Sequence, residues 1–190
     1  MNISELHSTF TNLLDGNWLN HHFKAALIVG KDSIKAVMVM RKLGFREAIG
    51  VDRKPCTSMV KKGSIYGLPF KDNSFDFVFS MAMIDGVRVP ARMVLEMERV
   101  LKPTRVGVVL RRVSGSVPTR DVMKAAAPVA SYLKFSNIVD VRTLNRTVMV
   151  IFKKRSLGIG DGDGDGRLSQ VVLMPEEKVD STLLSLLDSQ

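Results

Sequence analysis

The 190-residue chain is short of the side chains that build many functional sites. It has a single cysteine, Cys56, which excludes an internal disulfide and any cysteine-cluster zinc site. Its three histidines, His7, His21 and His22, lack the spaced partners that a metal site needs, so no bound metal is expected. No run approaches the roughly 18 to 20 uninterrupted apolar residues that cross a bilayer. Residues 1 to 25 also lack a basic start followed by an apolar stretch, so neither a transmembrane segment nor secretion is expected. A reducing intracellular compartment, the cytoplasm, fits this composition. Aromatic residues make up only 6% of the chain and do not interleave with the basic ones.

What is present is ordinary for one globular core with a tail: 45% hydrophobic and 25% charged residues. The formal charge of +9 is divided unevenly. Residues 156 to 190 hold Arg167 and Lys178 against seven acids, a net −5, which leaves +14 on residues 1 to 155. Such an excess attracts nucleic acid or an anionic surface through nonspecific phosphate contacts. The basic residues nevertheless fall in scattered pairs (Lys61 and Lys62, Arg111 and Arg112, Lys153 and Lys154), which reads more simply as a solvated basic body.

Hydrophobic periodicity, interrupted by Gly, Pro and Asp, gives an alternation of strands and helices. A helical lead-in, about Ile3 to Leu14 within residues 1 to 22, precedes the apolar run Lys24 to Val29, which ends at Gly30 and suits a strand buried on both faces. Asp32 and Ser33 are placed to cap a helix to about Leu43, with Ile34, Val37, Met38 and Leu43 as its apolar stripe and Gly44 as its stop. A second strand, about Glu47 to Val51, closes on Asp52. The segment Pro55 to Lys62 is short for a crossover helix, and Ser64 to Tyr66 is an abbreviated third strand. Phe75 to Ser80 is a clear strand entered through the turn at residues 71 to 74. Pro90 opens a helix with the stripe Met93, Val94, Met97, Val100 and Leu101, stopped by Pro103, and Val106 to Leu110 is the next strand. A helix from about Thr119 to Leu133 leads to two strands, Asn137 to Val141 and Thr147 to Phe152, whose short turn at residues 144 to 146 predicts an antiparallel pair.

This order predicts an α/β fold: a Rossmann-like, doubly wound and mostly parallel sheet, with a terminal antiparallel strand pair, over residues 23 to 155. Ligands of such sheets bind beyond the carboxyl ends of the strands, which points to Gly30, Asp52, Ser64 and Ser80. Beyond residue 155 the alternating Gly and Asp of residues 158 to 166 read as a linker. It is followed by a short amphipathic helix over Pro175 to Leu187 that suits docking on the domain or on a partner. Asp161 to Ser169 also reproduces nine positions of a calcium-binding EF-hand loop, but Val172 replaces the bidentate glutamate and no helix precedes it, so an acidic linker is the simpler reading.

Two motifs resemble a known family. The stretch from Gly67 to Ser80 (GLPFKDNSFDFVFS) is similar, almost position for position, to the segment entering the fourth strand of class I S-adenosylmethionine-dependent methyltransferases, particularly the branch related to ubiquinone and menaquinone C-methyltransferases. Glu98-Arg99-Val100-Leu101-Lys102-Pro103 resembles the end of that family's helix before its fifth strand. The resemblance spans residues 23 to 153 and implies S-adenosylmethionine as cofactor, with a small-molecule acceptor. It also implies site residues: Gly30 at the first glycine of the cofactor loop, Asp52 as acceptor for the ribose hydroxyls, Ser64 (with Ile65 beside it) where the family carries an acid for the adenine amino group, and Ser80 at the end of the fourth strand.

The departures lie in the same loops. Asp32 and Ile34 replace the second and third glycines, Ile28 stands where an acid is usual, and Thr104 and Arg105 replace the Gly-Gly after Lys-Pro. Side chains at glycine positions crowd the backbone approach, and an Asp32 that caps the helix amides closes them to a ligand carboxylate. No catalytic residue can be assigned. Asp85 is the only ionisable group after the fourth strand and reads more simply as a cap. Three functions are therefore open: a divergent methyltransferase, a pseudoenzyme that keeps the fold to contact a protein partner, and the cofactor-poor half of a heteromeric methyltransferase.

Overall fold

The computed structural model describes residues 1–55, 57–113, 122–144 and 147–156. Strands β1 (Ala26–Val29), β2 (Ile49–Asp52), β3 (Val60–Lys62), β4 (Phe75–Met83), β5 (Leu101–Arg112), β6 (Ser136–Leu144) and β7 (Thr147–Lys154) form one seven-stranded sheet in the order β3-β2-β1-β4-β5-β7-β6. β1 to β5 pair in parallel, and β7 pairs antiparallel with both β5 and β6. The doubly wound fold with a terminal antiparallel pair is therefore as the sequence predicts. The expected linker, tail helix and EF-hand-like loop lie outside the described residues, apart from Ser156, as do Asn145, Arg146 and the start of the expected Thr119 helix.

Alternation along β1 shows why the strands are apolar throughout. Ala26 and Ile28 face one core with α1 (Ile3–Asp15) and α2 (Ser33–Lys42). Leu27 and Val29 face the other core, with α3 (Pro90–Val100) and α4 (Val122–Ala130). The lead-in is part of the first core: Leu6, Phe10 and Leu13 are fully buried, and Phe10 meets Phe79 edge to face with centroids 5.0 Å apart. Trp18 Nε1 donates to Asp140 Oδ2 at 2.8 Å, fastening the end of the lead-in to β6.

Four expectations need correction. The third strand is Val60–Lys62, with no helix between it and β2 among the described residues, and Ser64 to Tyr66 is a turn in which the Tyr66 N–H donates to Ser64 Oγ at 3.2 Å. On α2 the buried set is Ser33, Ala36, Val37, Val39 and Met40, while Met38 is 46% exposed. The helix is covered by both α1 and the sheet, so its apolar face is rotated and wider than a single stripe. Asp32 precedes α2 but makes no side-chain cap; its backbone is left-handed (φ 61°) and its carboxylate lies 3.9 Å from Lys35 Nζ. Finally, α3 ends at Val100 because Leu101 is already extended, so Pro103 lies inside β5 rather than stopping the helix.

Both motif segments are held by buried carboxylates. Glu96 accepts the Leu68 N–H at 2.7 Å and pairs with Arg99 at 2.8 Å. Arg99 in turn donates to the carbonyls of Leu68 and Phe70 and to Asp72 Oδ1. Glu98, fully buried, accepts the N–H groups of Lys134 and Phe135. Asp76 accepts the amides of Lys24 and Ala25 and Lys102 Nζ, pinning the entry to β1. Lys154 Nζ donates to Asn73 Oδ1 and to the carbonyls of Glu98 and Leu101, so half of one basic pair is a structural strut.

These bonds make stability depend on pH. The hydrogen bond from Arg99 holds Glu96 below its ordinary value, and for Asp76 the bonds from Lys102 and the two amides outweigh a burial effect that pushes the other way. A carboxylate whose folded pKa is depressed stabilises the fold above its unfolded pKa and loses that contribution as pH falls. The melting temperature should therefore hold from pH 7 to about 5 and fall below about 4.5; a flat profile to pH 3 would contradict this. Glu96→Ala, which orphans the Leu68 amide and leaves Arg99 with Asp72 and two carbonyls only, should cost about 2 to 4 kcal/mol in urea unfolding, and a loss under 1 kcal/mol would exclude the clamp.

Thr104 offers an opposite test. It sits at φ 63°, a region that disfavours a β-branched residue. Thr104→Gly should raise stability by about 0.5 to 1 kcal/mol, relief of strain exceeding the entropy cost of glycine; a decrease would show that the Thr side chain has a structural partner.

Candidate functional site

The carboxyl ends of β1, β2 and β3 are stitched together around Asp52. The Gly30 N–H donates to the Val51 carbonyl at 3.1 Å, and the Gly63 N–H to the Asp52 carbonyl at 3.0 Å. The Asp52 side chain completes the arrangement: Oδ2 accepts the Asp32 N–H at 3.1 Å, and Oδ1 the Lys54 N–H at 3.2 Å. A carboxylate has about four lone-pair directions, so these two bonds leave Asp52, which is half-buried, with acceptor capacity.

Gly30 has φ 116°, and a Cβ there would approach the Ala82 amide nitrogen at 3.2 Å. It is thus a position that glycine fits, beside the extension of β4. Asp32 follows at φ 61°, so the loop keeps a glycine-type conformation at its second glycine position with an aspartate in place. Thr104 does the same where the resemblance expects glycine after Lys-Pro. Ile34 is helical, within the first turn of α2, and half-buried. The Asp32 side chain does not cap that turn, but backbone carbonyls take part of it: the Ser33 N–H donates to the Gly30 carbonyl at 3.3 Å and the Lys35 N–H to the Asp32 carbonyl at 3.1 Å.

The remaining expected positions divide. Ser64 and Ile65 follow β3 and are half-buried, the Ser64 hydroxyl accepting the Tyr66 amide. Ser80 is turned inward: it is fully buried, its Oγ donates to the Ala82 carbonyl at 2.9 Å and accepts the Ala82 N–H at 3.2 Å, and Met93 Sδ lies 3.7 Å away. β4 runs three residues beyond Ser80, which takes this hydroxyl below the sheet's rim. Gly30 and Asp52 are brought together; Ser80 offers no exposed atom.

Sequence reasoning missed the cleft beside these loops. An open cavity of about 710 Å³ is lined by Arg53, Ile65, Tyr66 and the segment from Gly86 to Val89. The available signal was positional, since Arg53 follows Asp52 directly and Arg88 precedes the Pro90 helix, both in loops at strand carboxyl ends. Asp85, in the 3₁₀ turn Ile84–Gly86, pairs with Arg111 Nε at 3.0 Å and accepts the Arg112 N–H at 3.0 Å, which makes it a tie between β4 and β5. Among the described residues no group of three His, Cys, Asp or Glu could hold a metal, and no helix is long and apolar enough to cross a membrane.

Comparison with known proteins agrees with this architecture. Residues 19–108 match the methyltransferase domain family. A methyltransferase from Aquifex aeolicus described as S-adenosylmethionine-dependent is 14% identical, with TM-score 0.58 over 78% of this chain and 90% of its own. A Bacillus halodurans protein described as a putative methyltransferase is 10% identical, with TM-score 0.55 over 78% of this chain and 100% of its own. The [4+2]-cyclase SpnF is 12% identical, with TM-score 0.59 over 77% of this chain and 80% of its own. No curated protein matches the sequence. A methyltransferase domain family is thus matched over residues 19–108, and the chain has the fold of the solved class I S-adenosylmethionine-dependent methyltransferases.

Proposed function

We propose that the chain is a divergent methyltransferase of the class I fold that binds S-adenosylmethionine weakly and acts on a small acceptor in the cytoplasm. The observation that supports this most is the loop between β1 and α2: Gly30 and Asp32 both keep the left-handed backbone, the Asp32 side chain does not cap α2, and Asp52 stands beside them with spare acceptor capacity. The backbone therefore fits the cofactor, which Gly30, Asp52, Ser64 and Ile65 would hold; when bound, it supplies an electrophilic methyl group. The protein's contribution would be positioning, since a base is needed only when the acceptor must lose a proton.

A second reading, a pseudoenzyme that keeps the fold for a protein partner, is favoured by the burial of Ser80 and by the engagement of Asp85 with Arg111.

Calorimetric titration with S-adenosylmethionine and S-adenosylhomocysteine separates the two. Micromolar binding that weakens by roughly 1 to 3 kcal/mol in Asp52→Ala, and that strengthens in Asp32→Gly, is the expected result. No binding at millimolar ligand would overturn the enzyme reading, and binding unchanged in Asp52→Ala would remove the ribose assignment.

A further inference from the structure

The fold gathers basic residues that the sequence scatters. Lys24 precedes β1, Lys102 and Arg105 lie at the start of β5, and Lys134 precedes β6. β7 runs antiparallel to β5 and β6, so Lys153 and Arg155 reach the same edge of the sheet. Contacts between these segments set them side by side. Asp76 Oδ1 lies 2.9 Å from Lys102 Nζ and 3.5 Å from Arg105 Nε, while its Oδ2 accepts the Lys24 N–H. The Arg105 guanidinium stands 5.0 Å from the centre of the Phe23 ring. Val106 is in register with Lys153, and Lys153 with Asn137. The Arg155 N–H donates to the Phe135 carbonyl at 2.8 Å, and its guanidinium to the Lys134 carbonyl. From β1 to β6 the strand order makes these positions one rim, four strand spacings or roughly 19 Å long.

Little of the rim's charge is neutralised. The side chains of Lys24, Lys134 and Lys153 are exposed and have no partner among the described residues. Lys102 and Arg105 share one acid, the buried Asp76. The neighbouring acids are engaged elsewhere: Glu98 is buried against the amides of Lys134 and Phe135, and Asp72 pairs with Arg99. Arg105 stands where the family pattern has glycine, so this cation is a departure of the present chain. Like charges along one edge repel, and a linear polyanion laid across them relieves that repulsion.

Aromatic surface accompanies the charge. Phe135 is 51% exposed at the β6 end of the rim, and Phe23 is half-buried beside Arg105. An exposed ring next to cations suits a strand whose unpaired bases can stack while its phosphates are neutralised. A bilayer surface is served less well, because insertion draws on a broader apolar face than one phenyl ring supplies.

We propose that this rim binds single-stranded nucleic acid, with phosphates along Lys24, Arg105, Lys153 and Lys134 and a base stacked on Phe135. The rim lies at the amino ends of the parallel strands, whereas Gly30 and Asp52 lie at their carboxyl ends, so the proposal does not rest on the cofactor reading.

The test is fluorescence anisotropy of the full chain with a labelled oligouridylate of about 15 nucleotides, a duplex of the same length, and phosphatidylserine vesicles. The oligouridylate should bind with log K falling against log salt at a slope of about −2 to −3, the value for three or four phosphate contacts on a single strand. Lys134→Glu and Lys153→Glu should each weaken binding several-fold, and Lys24→Gln should make the slope shallower by about 0.7. Phe135→Ala should weaken the oligouridylate several-fold and leave the duplex unaffected. Lys62→Glu, at the carboxyl end of β3, should change little. All five side chains are exposed, so the melting temperature should hold in every variant. Absence of salt-dependent binding, or an equal loss from Lys62→Glu and Lys153→Glu, overturns the rim as a site. Vesicles bound more tightly than either nucleic acid overturn the choice of partner in favour of a membrane surface. A duplex bound as tightly as the oligouridylate, or no effect of Phe135→Ala, overturns the single-strand assignment.

Discussion

The grip of Glu96 and Arg99 on the segment from Leu68 to Asp72 is the constraint on which the rest of this structure depends. One carboxylate and one guanidinium, both on α3, satisfy a backbone amide, two carbonyls and a second carboxylate in the chain that leads into β4. With Asp76 pinning β1 and Glu98 receiving the amides before β6, buried charge orders the amino-terminal side of the sheet from three directions. Glu96 and Asp76 are ion-paired and hydrogen-bonded, and Glu98 accepts two backbone amides, the condition under which burial is tolerated. The two most recognisable motifs of the sequence are made of these residues, so what they specify is architecture. The residues that would decide activity lie at the opposite ends of the strands, where the chain departs from the family pattern.

That division explains what could be read in advance. Strand and helix order followed from periodicity because β1, β4 and β5 are buried on both faces and α3 on one. The turn at Ser64 resisted reading, since three residues with a hydroxyl and two apolar side chains suit a strand or a turn equally until the Tyr66 amide closes on Ser64. The face of α2 was misjudged because a second helix, α1, buries residues that a lone amphipathic helix would expose. Gly30 and Asp52 were legible from their place after apolar strands, whereas the inward turn of Ser80 depends on β4 continuing to Met83. Arg53 and Arg88 are far apart in sequence, and only the topology makes them neighbours of one cleft.

Loss of glycine letters has not meant loss of glycine conformation. Asp32 and Thr104 hold left-handed backbone at positions where the family pattern has glycine, so the fold has imposed its loop shapes on residues that do not favour them. What has changed is charge and bulk: an anion at Asp32 and a β-branched side chain at Ile34. Fold alone does not select among chemistries here, as the similarity to a [4+2]-cyclase shows.

The most direct measurement is a nitrogen-15 amide spectrum of the labelled protein recorded with increasing S-adenosylhomocysteine. A cofactor site around Asp52 predicts shifts concentrated at Gly30, Asp32, Ser33 and Asp52, with the Glu96 to Glu98 region unmoved. Absence of shifts at millimolar ligand, or shifts confined to residues away from the β1 and β2 carboxyl ends, would contradict it.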